Sequence, residues 1–470
     1  MHGCTVIARN YLAHACVLAE SFRAHNSSAR FSVLVVDDPD GTLSIGEPFD
    51  VLKPADIGID VQELNRRATM YTAQGLVASL KPHLLIELLS RGDGSVLLLD
   101  ADGCVYSDLT PVATLAEGHS LVLSPHTLDP HPLPLADMDS PEQIILRAGV
   151  MNAGFLGVGR SAGSFLRWWA ERTARRCVFD AQRGLMLSQT WLTLATALFD
   201  HHVLRDRGCN VAGWNLQARD VQWEDEMPTI DGVPLRHFHF AGSFDPEQPH
   251  LITPNATHAS WWPSLEERPG TARLAREYAG ALIARGYRKA RAAQPLYDVM
   301  PGGAPIEPWM RTSYRTALVE AEQAGTAEPP NPFSDGAERF SAWLERRMLQ
   351  RLEGEIGVSL DLQDPNDAGL DEILAAVIDG RRLLARVHEL EGIRDEAVAW
   401  AEREAADLRY AVEVIAEREA RIEALNAELA DTMVSVGSVS RPSGRGWTKP
   451  LRLMRASAAS AATMLRRSQS

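Results

Sequence analysis

Long apolar runs are absent from this chain of 470 residues. A bilayer span needs about 20 consecutive apolar residues, and the first ten residues do not read as a secretory leader, so a chain in the aqueous phase is expected. Paired cysteines are missing too. Cys4, Cys16, Cys104, Cys177 and Cys209 form an odd set with no Cys-x-x-Cys spacing, which argues against a disulfide framework or zinc ribbon and for a reducing cytoplasm. Neither G-x-G-x-x-G nor a P-loop sequence occurs, so the common dinucleotide and triphosphate cradles lack support. Acidic residues are missing from one end only. Residues 436–470 carry seven Lys/Arg and no Asp or Glu, while the whole chain is at −15, leaving −22 on the remainder. So acidic a body disfavours nucleic acid as a partner.

What is present falls into four regions, as a chain this long is expected to form more than one domain. Residues 1–262 alternate short apolar runs with helical patterns, the signature of an α/β protein with helices on both faces of a sheet. "CTVIA", "RFSVLVVDD", "SVLLLD", "HSLVLSPH" and "AGFLGVGR" read as strands. "AHACVLAESFRAH", "TAQGLVASLKPHLLIELL", "AGSFLRWWAERTARRC" and "LMLSQTWLTLATALF" read as helices, with Lys81-Pro82 expected to kink or restart the second. Residues 263–382 are mostly helical with Pro-rich joints. Over 383–434, Leu408, Ile415, Ile422 and Leu429 recur every seven residues, with Ala411 and Leu425 between them and Arg418 interrupting. That seam predicts a coiled coil and a homodimer, against the alternative of a single solvated helix. In the tail, 435–470, Leu451, Met454, Ala458, Ala461 and Leu465 share a helical face flanked by Arg452, Arg455 and Arg466, which suits a helix lying on an anionic membrane surface.

The first region carries the chemistry. The strand Val96–Leu99 runs straight into Asp100 and Asp102, at the strand end where open α/β sheets place ligands. Two like charges there are unfavourable unless a cation sits between them, and an oxygen-preferring divalent ion is the natural candidate. "ARNYLAHA" puts Arg9, Asn10 and Tyr11 after the first strand. "VMNAGFLGV" puts Asn152 and Gly154 just before another. "LRHFHFAGSFDP" alternates His237 and His239, so only one faces any site, and Gly242 follows His239 by three.

In this order these segments resemble glycosyltransferase family 8 and related GT-A nucleotide-sugar transferases. Trp168–Arg172, Trp214–Leu216 and His237–Pro246 resemble bacterial cell-envelope transferases in particular. The resemblance covers about the first 260 residues and implies a Rossmann-like mixed sheet flanked by helices. It implies that Tyr11 stacks on the nucleobase of a nucleoside-diphosphate sugar, with Arg9 and Asn10 lining that pocket. Lys81 lies near the phosphates or sugar. Asp100, Asp102 and His239 hold Mn²⁺ or Mg²⁺, Asn152 and Gly154 border the sugar, and Gln189 faces its reacting carbon. Ser188 stands where the family usually has an acid. His237 reads as core or as a support behind the metal ligands, and Trp168, Trp169, Trp214, Trp261 and Trp262 read as core or acceptor-groove wall, with Trp214 and Asn215 candidates for the acceptor side.

The expected function is metal-dependent transfer of a sugar, with retention of configuration, to an envelope glycan or lipid-linked acceptor at the inner face of the cytoplasmic membrane. A metal in a two-carboxylate cup fits a diphosphate leaving group, whereas a glycosidase needs a second, protonated carboxyl. Two other readings stay open. One is a sugar nucleotidyltransferase, which usually has a Gly-rich nucleotide loop unlike "ARNYLAHA"; the other is a coiled-coil scaffold with an inactive sugar-nucleotide domain.

Overall fold

A computed structural model describes residues 1–38, 48–131, 141–180, 183–241, 244–252 and 265–356. The coiled-coil and tail expectations, with Gly242, Trp261 and Trp262, lie outside the described residues.

The chain begins β1 (His2–Ile7), α1 (Leu12–His25), β2 (Arg30–Val35), β3 (Asp50–Leu52), α2 (Val61–Met70), α3 (Ala73–Ser90), β4 (Ser95–Leu99) and β5 (Gly103–Val105). It continues α4 (Thr110–Gly118), β6 (Leu121–Pro125), α5 (Pro141–Ala148), β7 (Met151–Gly159), α6 (Gly163–Arg176), β8 (Phe179–Asp180), β9 (Leu185–Met186) and α7 (Thr190–Leu198). Then come β10 (His202–Val203), β11 (Val211–Ala212), β12 (Val221–Glu224), β13 (Met227–Ile230), β14 (Val233–Pro234) and β15 (His237–His239). Helices α8 (Pro269–Ala284), α9 (Tyr287–Arg291), α10 (Pro308–Ala324) and α11 (Ala337–Ile356) follow.

The architecture is the expected α/β one: a seven-stranded mixed sheet in the order β10-β6-β7-β4-β1-β2-β3. Strand β4 shows why the sequence makes it. Val96 and Leu98 enter the core on the α3/α6 side, while Leu97 and Leu99 enter the core beside α1 and α4. A strand covered on both faces needs an unbroken apolar run rather than alternation. Because β1 is parallel to both β2 and β4, the C-terminal ends of all three open on one edge of the sheet. Strand β7 is antiparallel to β4, with Leu99 opposite Phe155, so its N-terminal end reaches that same edge.

A second, three-stranded sheet, β11-β15-β5, stands at this edge and brings His239 opposite Gly103. Its apolar side packs on α8, where the rings of Phe240 and Tyr278 stack at 3.9 Å. Helices α10 and α11 place Tyr314, Leu318, Phe340 and Leu344 in the core on the α3/α6 side, and Met1–Val358 forms one compact unit. No helix among the described residues is long and apolar enough to cross a membrane.

Three local expectations change. Helix α3 runs unbroken through Pro82; packing on α6 and the sheet holds the helix across the missing N–H. Asn152 and Gly154 lie inside β7 rather than before it, because backbone pairing continues to the strand end, where Asp100 N donates to Gly154 O (2.7 Å). Helix α7 begins at Thr190, with Gln189 as its N-cap, since Leu187 at φ 49° turns the chain first.

Candidate metal and sugar-nucleotide site

The turn after β4 makes the centre. Gly103 N donates to Asp100 O (3.0 Å) and Phe240 N to Asp102 O (2.8 Å), so the strand reverses into β5 with both aspartates at the sheet edge. One ligand atom from each of Asp100, Asp102 and His239 lies within 4.8 Å of the others. His237, the alternate residue on β15, is fully buried against Phe155 and faces the core, as its position in the pattern suggests.

Each member is held from behind. Lys81 Nζ donates to Asp100 Oδ1 (2.6 Å) and to Ala153 O (3.1 Å). His239 Nε2 lies 3.1 Å from Asp102 Oδ1, and its Nδ1 lies 3.3 Å from Asn210 Oδ1. Nδ1–H donates to Asn210 and Nε2–H to Asp102; with Nδ1 so held, Nε2 is the nitrogen that would give up its proton to a cation, the arrangement by which a neighbour fixes a ligating imidazole. Burial opposes ionisation of both Asp102 and His239. Their mutual attraction outweighs it, holding the Asp102 carboxyl below its ordinary range and the His239 imidazole above it. Trp214 packs edge-on against His239, with ring centres 5.3 Å apart.

These residues fit a divalent cation. A Cβ on Gly154 would lie 2.5 Å from Asp100 Oδ2 and 2.6 Å from His239 Cε1, so glycine keeps the cradle open. Carboxylate oxygens with one imidazole nitrogen suit hard or borderline ions such as Mg²⁺ and Mn²⁺.

The other sequence-singled residues divide in two. Tyr11 shares a small cavity with Asp102; its ring stacks on His14 at 4.6 Å, and burial pushes its hydroxyl up to about 12. Arg9 is exposed, and its backbone N–H donates to Asp37 Oδ1 (2.7 Å), which anchors the turn carrying Asn10 and Tyr11. The Asn10 side-chain oxygen is buried without a hydrogen-bond partner among the described residues. Asn152 and Gln189 are instead engaged with the protein. Asn152 Oδ1 accepts from Gly154 N (2.8 Å) and its Nδ2 lies 3.1 Å from His126 Nε2. Gln189 Oε1 accepts from Ala153 N (3.2 Å) and Asn152 Nδ2 (3.4 Å), while Nε2 donates to Ala148 O (2.9 Å). Ser188 is buried and its backbone oxygen accepts from Trp169 Nε1 (2.9 Å). Asn215, expected on the acceptor side, staples a loop by donating to His126 O (3.0 Å) and Asn210 O (3.1 Å).

Sequence reasoning missed Asn210, His126, Asp37 and the α9 residues Tyr287 and Arg291. For Asp37 a signal existed: "VLVVDD" ends β2 as "VLLLD" ends β4.

No family model matches the chain. Among curated proteins it is 24% identical over 278 residues to the uncharacterized protein YfnD of Bacillus subtilis, covering 57% of this chain and 83% of that protein. Among solved structures it is similar to the galactosyltransferase LgtC in complex with donor and acceptor sugar analogs, at 18% identity, 60% of this chain, 96% of that one and a TM-score of 0.34. The glycosyltransferase GlyE of Streptococcus pneumoniae is similar at 13% identity, 64% of this chain, 67% of that one and a TM-score of 0.34.

Proposed function

We propose that the chain is a metal-dependent glycosyltransferase that moves a sugar from a nucleoside diphosphate, with UDP the first candidate, to a glycan or lipid-linked acceptor, with retention. The observation that carries this reading is the open Asp100–Asp102–His239 cradle at the C-terminal end of β4, kept clear by Gly154. A divalent cation held there would supply positive charge for the departing diphosphate. Lys81 fixes Asp100 on one oxygen and leaves the other facing the cradle. Tyr11, beside Asp102, offers an aromatic face for the base. Asn152 and Gln189 tie the backbone from Ala148 to Gly154 into one shape, which defines the wall where the sugar would rest. The basic tail and the heptad seam support a dimer at an anionic membrane surface, where a lipid-linked acceptor would be found.

A thermal-shift panel of UDP-, GDP-, ADP-, CDP- and dTDP-sugars, with and without Mn²⁺, tests this. A ligand at ~100 times its Kd should stabilise the fold by roughly 2.7 kcal/mol, and the donor should need the metal to do so. Release of the nucleoside diphosphate, rather than pyrophosphate from a triphosphate, separates a transferase from a nucleotidyltransferase. If no sugar nucleotide gives a metal-dependent shift, the reading fails.

A further inference from the structure

Two cavities meet at α9. The outer one is open, about 600 Å³, and lined by residues that include Asp245, Glu247, Arg288 and Arg291. The inner one is a slot of about 10 Å³, walled by Tyr11, His14, Asp102, Tyr287 and Arg291 among others. Tyr287 and Arg291 line both, so α9 forms the partition between open solvent and the aspartate cradle.

Helix α9 packs on α1 and on the turn that carries Tyr11. Two ion pairs anchor this part of the chain: Arg285 with Glu20 of α1, and Arg288 with Glu247. Arg291 has no carboxylate partner among the described residues. Its guanidinium carbon stands 6.0 Å from the centre of the Tyr11 ring. Burial raises the Tyr11 and Tyr287 hydroxyls, and the Arg291 charge works against that rise at both, so its field reaches into the slot.

The charge balance gives this placement meaning, given the transferase reading above. Two aspartates, Lys81, a divalent cation and a doubly charged diphosphate leave the site about one positive charge short, and an uncompensated charge in a half-buried site is costly. Arg291 is on the wall where that charge is needed. We propose that Arg291 binds the diphosphate of the donor, its guanidinium fork taking the phosphate oxygens that face the outer cavity. The ligand class is a nucleoside diphosphate, and α9, beyond the stretch where sequence motifs point to the site, is part of the donor pocket.

Calorimetric titration of the full chain with UDP, GDP, ADP, CDP and dTDP, in the presence of Mn²⁺, tests this. At least one diphosphate should bind the wild type. Arg291→Gln should raise its Kd about 10- to 100-fold, the range expected from losing a charge-assisted hydrogen bond, and Arg291→Lys should fall between the two. The side chain is exposed, so both variants should melt with the wild type. Unchanged affinity in Arg291→Gln overturns the inference and leaves the transferase reading standing. A Lys variant weaker than the Gln variant also overturns it, since restoring a positive charge at that wall cannot then be what favours the diphosphate. If the wild type binds no diphosphate, the transferase reading falls and takes this inference with it.

Discussion

Replacing Gly154 with alanine tests the cradle more directly than removing a ligand. The added Cβ would sit 2.5 Å from Asp100 Oδ2, against the 3.4 Å where ordinary contact begins, so the oxygen must retreat by about 0.9 Å. It cannot swing freely, because Oδ1 is held by Lys81 at 2.6 Å. The same Cβ meets His239 Cε1 at 2.6 Å and Asn152 Oδ1 at 2.9 Å, so two of the three candidate ligands move at once. Metal–ligand distances tolerate only about 0.2 Å. Overpacking of this kind costs about 1–3 kcal/mol, a fall of about 1–4 °C in Tm for a unit this large. Displaced ligands should weaken Mn²⁺ at least about 10- to 100-fold, the loss seen when a ligand's support alone is removed. Gly157→Ala, on the same strand, separates the two effects: its Cβ would meet Leu97 Cδ2 at 3.1 Å and Ala116 Cβ at 3.2 Å, both apolar. It should lower Tm and leave Mn²⁺ affinity unchanged. Titration of Mn²⁺ without donor reads the metal term, and a Gly154→Ala protein that binds Mn²⁺ as tightly as the wild type refutes the cradle.

Asp102→Asn removes charge with little change of shape, so folding should persist while Mn²⁺ affinity falls at least tenfold; equal affinity would sink the assignment of Asp102 as a ligand. Asn210 adopts φ 52°, a conformation glycine accepts freely. Asn210→Gly should therefore keep the fold yet lose about tenfold or more in Mn²⁺ affinity as His239 loses its orienting partner, and retained affinity would show the contact to be incidental. Burial depresses the His14 and His126 imidazoles to about 4. With folded values below the unfolded 6.5, their contribution to stability is complete above pH 6.5 and is lost as pH falls toward 4, by up to roughly 1.4 kcal/mol per pH unit each. His126→Gln should flatten the fall in Tm between pH 6.5 and 4, and an unchanged slope would exclude His126 as a contributor.

The main sheet was legible because its central strands are covered on both faces, which writes itself into the sequence as "SVLLL" or "FSVLVV". The small sheet was less so. Strand β11 has only two residues, and the meander β12–β14 alternates Trp, Glu, Met, Pro and Thr without a clear period. Such strands are fixed by what they pair with. Pro82 misled for the opposite reason: its ring argues locally for a break, but the residues around it, from Ser79 to Leu85, are largely buried, and tertiary packing prevails over propensity.

The site divides along the same physical line. Asp100, Asp102, His239 and Gly154 were readable because each stands in a short strand-end pattern. The partners that aim them are distant in sequence: Asn210 meets His239 across 29 positions and His126 meets Asn152 across 26. No local spacing encodes such pairs. Gln189 shows the converse. Its carbonyl oxygen accepts from Ala153 N and Asn152 Nδ2, and an amide oxygen has two lone pairs to offer. Both are therefore directed at the protein, and Nε2 is directed at Ala148 O. Ala153 N and Ala148 O both turn toward this amide, and buried N–H and C=O groups without partners are costly. A side-chain amide at the N-cap of α7 satisfies them and at the same time stands beside the cradle. Its position in the sequence pattern is thus explained by the backbone it holds, and any direct contact of its oxygen with a sugar must first compete with two N–H donors already in place.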